Sequence, residues 1–152
     1  TSAWLVISTA TRRMVIPQSL NLNLPSLPDR IGLDEPLEKL DLRQPGEEKI
    51  RIKAGYSAVD ILGHVNNSRY VEWICDAFPM EMHQQNSLDS LQINYEHEIL
   101  PGNEVAILSA QSHLDPAMWI IEGINQSSGI RAFEAMLKWR DKGIESVNPK
   151  VL

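Results

Sequence analysis

The chain is short of cysteine, of aromatic side chains, of basic charge and of long apolar runs, and each shortage excludes something. A single cysteine, Cys75, cannot close an internal disulfide, and it rules out a Cys-rich zinc site. It fits a reducing compartment, so the cytoplasm is the expected location. The four histidines, His64, His83, His97 and His113, show no HExxH spacing. No metal and no organic cofactor are expected. Lys and Arg number 14 against 20 Asp and Glu, a net charge of −6, which opposes a nucleic-acid partner. Apolar runs stop after a few residues, so no membrane-spanning helix is expected. No basic start, apolar stretch and small-residue cleavage site follow in order, so no signal peptide is read. Aromatics make up only 6% of the chain, and Trp4, Trp73, Trp119 and Trp139 read as core and strand-face residues rather than a base-stacking surface.

What remains is the profile of an ordinary globular chain: 152 residues, 43% apolar and 22% charged. A chain of this length buries roughly 70% of its unfolded surface and needs no staple. Its opening on Thr1 rather than Met points to a fragment or a processed product.

Residues 3–8 read as a short buried strand. Between Gln18 and Glu48 lie Pro25, Pro28, Pro36, Pro45, Gly32 and Gly46, a long connection with room for one short helix at 36–40. Loops of this length are unusual inside one domain, so the expected organisation is the end of one module over 1–16, a linker over 17–47 and a complete module over 48–148. In Lys49–Ala54 alternation is strict, with Ile50, Ile52 and Ala54 on one face and Lys49, Arg51 and Lys53 on the other. A helix is predicted from Ser68 to Phe78. Val71, Ile74, Cys75 and Phe78 follow helical spacing, and Tyr70, Trp73 and Ala77 widen the apolar face until the helix is largely buried. Strands are predicted at 89–99, 103–113, 117–125 and 130–140, separated by Pro101-Gly102, Asp115-Pro116 and Ser127-Ser128-Gly129. Turns this short imply antiparallel neighbours. The expected class is α+β: an antiparallel sheet wrapped round one long buried helix, the hot-dog fold.

The chemistry centres on Asp60-Ile61-Leu62-Gly63-His64-Val65-Asn66-Asn67, just ahead of that helix. Asn66 or Asn67 suits an N-cap, and the first-turn amides beside it can bind a carbonyl oxygen. Gly63 permits a tight turn, and Asp60 is placed to orient His64. In Glu96-His97-Glu98, alternation puts both carboxylates on one face, where one of them could serve His64 as a base. Two readings stand on spacing alone: a catalytic group, or a capped turn beside a solvated sheet edge. Cys75, on the helix core face, reads as structural.

Asp60, the run Gly63-His64-Val65-Asn66-Asn67-Ser68-Arg69-Tyr70, Trp73 and the later Tyr95-Glu96-His97-Glu98 together resemble the acyl-acyl carrier protein thioesterases of plants and bacteria. The opening Ser2-Ala3-Trp4-Leu5 with Thr11-Arg12-Arg13 is similar to the end of that family's first hot-dog module. The resemblance covers essentially the whole chain. It implies hydrolysis of fatty acyl thioesters of acyl carrier protein, or of coenzyme A, to free fatty acid. It assigns Asp60, His64 and Glu98 as catalytic residues and Asn66 and Asn67 as substrate-binding. The family usually carries asparagine where this chain has Leu62, and often an acid where it has Ala58. It also implies a homo-oligomer, because all but the last strand of the first module is absent. The alternative is a non-catalytic hot-dog module that binds acyl chains or joins subunits. For an acidic carrier protein, Lys49, Arg51 and Lys53, or Arg12 with Arg13, are the candidate docking charges.

Overall fold

A computed structural model describes residues 6–8, 10–11, 13–21, 40 and 46–143. Residues 3–5 of the strand expected at 3–8, residues 36–39 of the short helix expected at 36–40, and residues 144–148 of the expected second module lie outside these. The chain divides into two compact units, Thr1–Lys39 and Leu40–Leu152. In the first, Ile7 and Met14 form an antiparallel bridge, and a single 3-10 turn follows at Pro17–Leu20. Ile7 is half exposed, which is not the burial expected of its strand.

The second unit holds the sheet. Five strands, β1 (Glu47–Lys53), β2 (Asn86–Tyr95), β3 (Glu104–Gln111), β4 (Met118–Asn125) and β5 (Ile130–Asp141), lie in the order β1-β3-β4-β5-β2, all antiparallel. The β3–β4 and β4–β5 hairpins are those the turn signals predict. The β2–β3 connection is not a hairpin: residues 96–103 carry the chain from one edge of the sheet to the other. Pro101-Gly102 does turn the chain, with Gly102 at φ +84°, but it delivers β3 to β1 instead of β2. There the Gly102 N–H donates to the Ala54 carbonyl and the Ala54 N–H to that of Asn103.

Register explains the apolar face. Ile50, Ile107, Gly123, Phe133 and Tyr95 form one cross-strand row; Ser109, Ile121, Ala135 and Ile93 form the next; Trp119, Leu137 and Leu91 a third. Against this face packs α1 (Asn67–Asp76), with Tyr70, Trp73, Ile74, Ala77 and Phe78 buried. Of the expected apolar face, Tyr70, Trp73 and Ile74 on α1 and Ala77 and Phe78 just beyond it are buried, while Val71 and Cys75 are only partly covered and sit at its margin. Asn66 caps α1 by accepting from the Ser68 N–H at 2.9 Å. The helix stops at Asp76 because Pro79 disfavours helical backbone at Phe78. Pro79 then caps α2 (Met80–Gln85), a helix absent from the sequence reading. Lys142 donates to the carbonyls of His83 and Gln84 at its C-terminal end. No helix of the described residues is long and apolar enough to cross a membrane.

Candidate active site

The loop ahead of α1 is closed at its neck by the Val59–Val65 bridge and by the Asn66 N–H donating to the Ala58 carbonyl at 2.9 Å. Within it the Asp60 N–H donates to the His64 carbonyl at 3.0 Å, and the Gly63 N–H to the Asp60 carbonyl at 3.1 Å. Gly63 takes φ +87°, a conformation that costs a side-chain-bearing residue strain. The turn brings Asp60 and His64 to one side: Nδ1 of His64 lies 3.9 Å from Oδ1 of Asp60.

On its other side, Nε2 of His64 lies 3.6 Å from Oε1 of Glu98. Glu98 arrives on the β2–β3 crossover, whose next residue, Ile99, is fully buried and accepts the Val65 N–H at 2.9 Å. One imidazole thus stands between two carboxylates, at separations just beyond hydrogen-bond reach that a small side-chain movement closes. Asp60 and His64 are half-buried, while Glu98 is 54% exposed and open to a ligand. Asp60 Oδ1 also accepts the Leu62 N–H at 2.8 Å. Leu62 thus fixes the aspartate through its backbone, and its side chain is 72% exposed.

Asn66 and Asn67 have separate roles. The Asn66 side-chain oxygen is engaged by the Ser68 N–H and hydroxyl, and its own N–H by Ala58. The Arg69 N–H goes to the Asn66 carbonyl. This leaves the Asn67 N–H as the first-turn amide without a hydrogen-bond partner among the described residues, while its carbonyl accepts from the Tyr95 hydroxyl at 3.2 Å.

Glu96 does not join the site. The strand ends at Tyr95, and the Glu96 and His97 N–H groups both donate to the Ala132 carbonyl, at 2.8 and 3.0 Å. This doubling breaks the alternation that would keep Glu96 and Glu98 on one face. Glu96 turns to Arg131 and Glu98 to His64. Burial, and then Asp76, push the Cys75 thiol up, so it stays protonated and a poor nucleophile at neutral pH. Lys49 pairs with Glu47 at 2.8 Å and Arg51 forks onto Glu48, which largely neutralises the candidate docking face on β1. Arg12 lies outside the described residues. No cluster of three or more His, Cys, Asp or Glu among the described residues is arranged to hold a metal ion.

Tyr70 supports the site from below. Its ring meets Phe133 and Tyr95 edge-on, at 5.2 and 5.3 Å. Burial pushes its hydroxyl up to about 12; a hydrogen bond with the Ile99 backbone opposes the shift, and the charges of Tyr95, Glu98 and Asp60 add to it. The phenol is thus harder to ionise folded than unfolded. Its stabilising contribution is complete below pH 10, the ordinary value, and is lost as pH rises to about 12. Tyr70→Phe should remove that component from an alkaline denaturation series. An unchanged slope between pH 10 and 12 would show that another group is responsible.

An antiparallel sheet packed on the buried helix α1, with one histidine between two carboxylates ahead of that helix, is the hot-dog architecture. A family profile, the Acyl-ACP thioesterase C-terminal domain, matches residues 42–141, and the chain belongs to this family. Among curated relatives, a chloroplastic palmitoyl-acyl carrier protein thioesterase of Cuphea hookeriana is 28% identical over 122 residues, covering 76% of this chain and 29% of the relative. A chloroplastic dodecanoyl-acyl carrier protein hydrolase of Cinnamomum camphora is 27% identical, covering 96% of this chain and 40% of its own length. The chain thus spans well under half the length of these relatives. An acyl-ACP thioesterase from Bacteroides thetaiotaomicron superposes with a TM-score of 0.67 at 22% identity, over 88% of this chain and 53% of the other. The 12:0-ACP thioesterase of Umbellularia californica gives 0.63 at 21%, over 90% and 53%.

Proposed function

We propose that the protein hydrolyses fatty acyl thioesters of acyl carrier protein, or of coenzyme A, to the free fatty acid. The observation that carries this reading is His64 between Asp60 and Glu98, at 3.9 and 3.6 Å, directly ahead of α1. The relatives' names, a palmitoyl-acyl carrier protein thioesterase and a dodecanoyl-acyl carrier protein hydrolase among them, supply the substrate class.

Glu98, the more exposed carboxylate, accepts a proton from water directly or through Nε2 of His64. The water oxygen bonds to the thioester carbonyl carbon. Asp60 faces Nδ1, so positive charge developing on the ring is met from both sides. The Asn67 N–H donates to the oxyanion; losing a donor of this kind typically costs ~3 kcal/mol of transition-state stabilisation. The carbon–sulfur bond then breaks, the thiolate takes the proton back, and the acid leaves. The side chain of Leu62 offers no hydrogen bond to carbonyl or water, so the acid–histidine–acid set carries the reaction without an amide at that position.

The site is open: Glu98, Leu62 and the fully exposed Ile61 border it. An acyl chain needs a second wall, and we assign that wall to another hot-dog module or to a second copy of the chain. The cytoplasm remains our proposed compartment, supported by the free Cys75, although the plant relatives are named as chloroplastic. The test is release of free thiol from dodecanoyl- and palmitoyl-acyl carrier protein, and from the matching coenzyme A esters, by the full-length protein. Turnover of at least one thioester above the uncatalysed rate is expected. Binding of these thioesters without hydrolysis would instead favour the acyl-binding alternative.

A further inference from the structure

Glu98 lies on an irregular connection, so something outside the strands must fix it. On its C-terminal side Ile99 does so, buried and bonded to Val65. On its N-terminal side the anchor is the start of β5. The Ala132 carbonyl accepts from two successive amides, those of Glu96 and His97. Nδ1 of His97 is 2.9 Å from the Arg131 carbonyl. The Arg131 guanidinium grips Glu96 through two bonds, Nε to Oε2 at 2.9 Å and Nη2 to Oε1 at 2.8 Å.

Arg131 is itself locked from the sheet. Its Nη1 donates to Glu122 on β4 at 2.8 Å, and Nη2 lies 3.1 Å from Oε2 of Glu134, outside hydrogen-bonding geometry. Glu134 is 1% exposed, and its Oε1 accepts from Asn94 at 3.2 Å. One guanidinium therefore faces three carboxylates. Glu122 and Glu134 lie opposite each other in the sheet and need a cation between them. Glu96 belongs to no strand and adds a third negative charge, so the stability of the sheet does not call for it. What it adds is a two-point link between a rigid strand and the residue two positions before Glu98.

We propose that Arg131, through its fork onto Glu96, is a positioning residue for Glu98: it holds the crossover so that Oε1 of Glu98 stays against Nε2 of His64. The inference rests on the reading of Glu98 as the group that takes the proton from water. A misplacement on the order of 1 Å at such a group costs about 10²-fold in rate. Freed of the fork but still tethered at Ile99, Glu98 should lose roughly 10-fold, part of that full effect.

The experiment is a double-mutant cycle in the full-length protein, with dodecanoyl- and palmitoyl-acyl carrier protein as substrates. Glu96→Ala should lower kcat about 10-fold while KM and the melting temperature stay near the parent's, because the change relieves like charge beside Glu122 and Glu134. Arg131→Lys keeps a cation for those two carboxylates, loses the planar fork, and should give a similar kcat loss. In a Glu98→Gln background, Glu96→Ala should cost nothing further, since its effect runs through Glu98. Full activity in Glu96→Ala, beside an inactive Glu98→Gln, overturns the positioning role and leaves Glu98 as the base. Equal losses from Glu96→Ala in both backgrounds also overturn it, marking a general structural effect. A Glu98→Gln protein as fast as the parent overturns the assignment of Glu98 and this inference together.

Discussion

Replacing His64 by alanine should lower kcat by about 10³-fold, within the 10²–10⁴ span of positioned proton-transfer groups, and Glu98→Gln should do nearly as much. Both side chains keep contact with solvent, His64 at 21% and Glu98 at 54% exposure, so neither change opens a packed core. KM for the acyl carrier protein thioester should stay within a few-fold, because neither group is assigned to the acyl chain. The melting temperature should move little. The effects should also be non-additive: if Glu98 acts on water through His64, the double variant should be about as slow as the worse single one. The measurement is steady-state hydrolysis of each variant, with circular dichroism confirming the fold. A folded His64→Ala protein that turns over at the parental rate would remove His64 from the mechanism.

How much of this was legible before folding depends on the range of the interaction that decides it. Asp60 and His64 are four residues apart with a glycine between them, and the turn that joins them is local. The facing of β1 follows from alternation: Ile50 and Ile52 turn to the core while Lys49 and Arg51 turn out. The helix start followed from Asn66. The helix end was read two residues late because Cys75 and Phe78 continue the apolar spacing, and the constraint that stops it is steric, imposed by Pro79. The α2 helix escaped because six residues give less than two turns of pattern.

Long-range pairing was not legible. Nothing near Tyr95 says that β2 will bond to β5 some forty residues later, or that residues 96–103 must therefore cross the sheet. Alternation alone would have kept Glu96 and Glu98 together. The Ala132 carbonyl, by accepting two successive amides, separates them, and this sends one carboxylate to His64 and the other to Arg131. Glu98 was named through the resemblance to a family and not through periodicity. Arg131 carried no signal at all, because its three carboxylate partners converge only in the folded sheet.

Gly123→Val should be the most destabilising single change in the sheet. A β-carbon at Gly123 would fall 2.0 Å from Cε1 of Phe133, far inside van der Waals contact. The two residues are cross-strand partners, at a point where the β4–β5 register shifts between Gly123 and Ile124. The absent side chain is the space in which the Phe133 ring lies. The ring has little freedom to withdraw, since Phe133 is fully buried and Tyr70 stands edge-on against it at 5.2 Å. Tyr70 in turn sits in the first turns of α1 and bonds with the Ile99 backbone, one residue from Glu98. Overpacking of a tight core commonly costs 1–3 kcal/mol, about 3–10 °C in melting temperature for a domain of this size. Gly123→Ala should fall in that range. Gly123→Val, with its branched carbon, should exceed it and leave little soluble protein. Because the strain passes through Phe133 and Tyr70 to the crossover, Gly123→Ala should also lower kcat several-fold at temperatures where it is fully folded. The control is Phe133→Leu: alone it opens a cavity and destabilises, but combined with Gly123→Ala it should recover part of the lost melting temperature. A Gly123→Ala protein that melts with the parent, or a double variant that is simply additive, would show that the ring does not fill the place of the missing side chain.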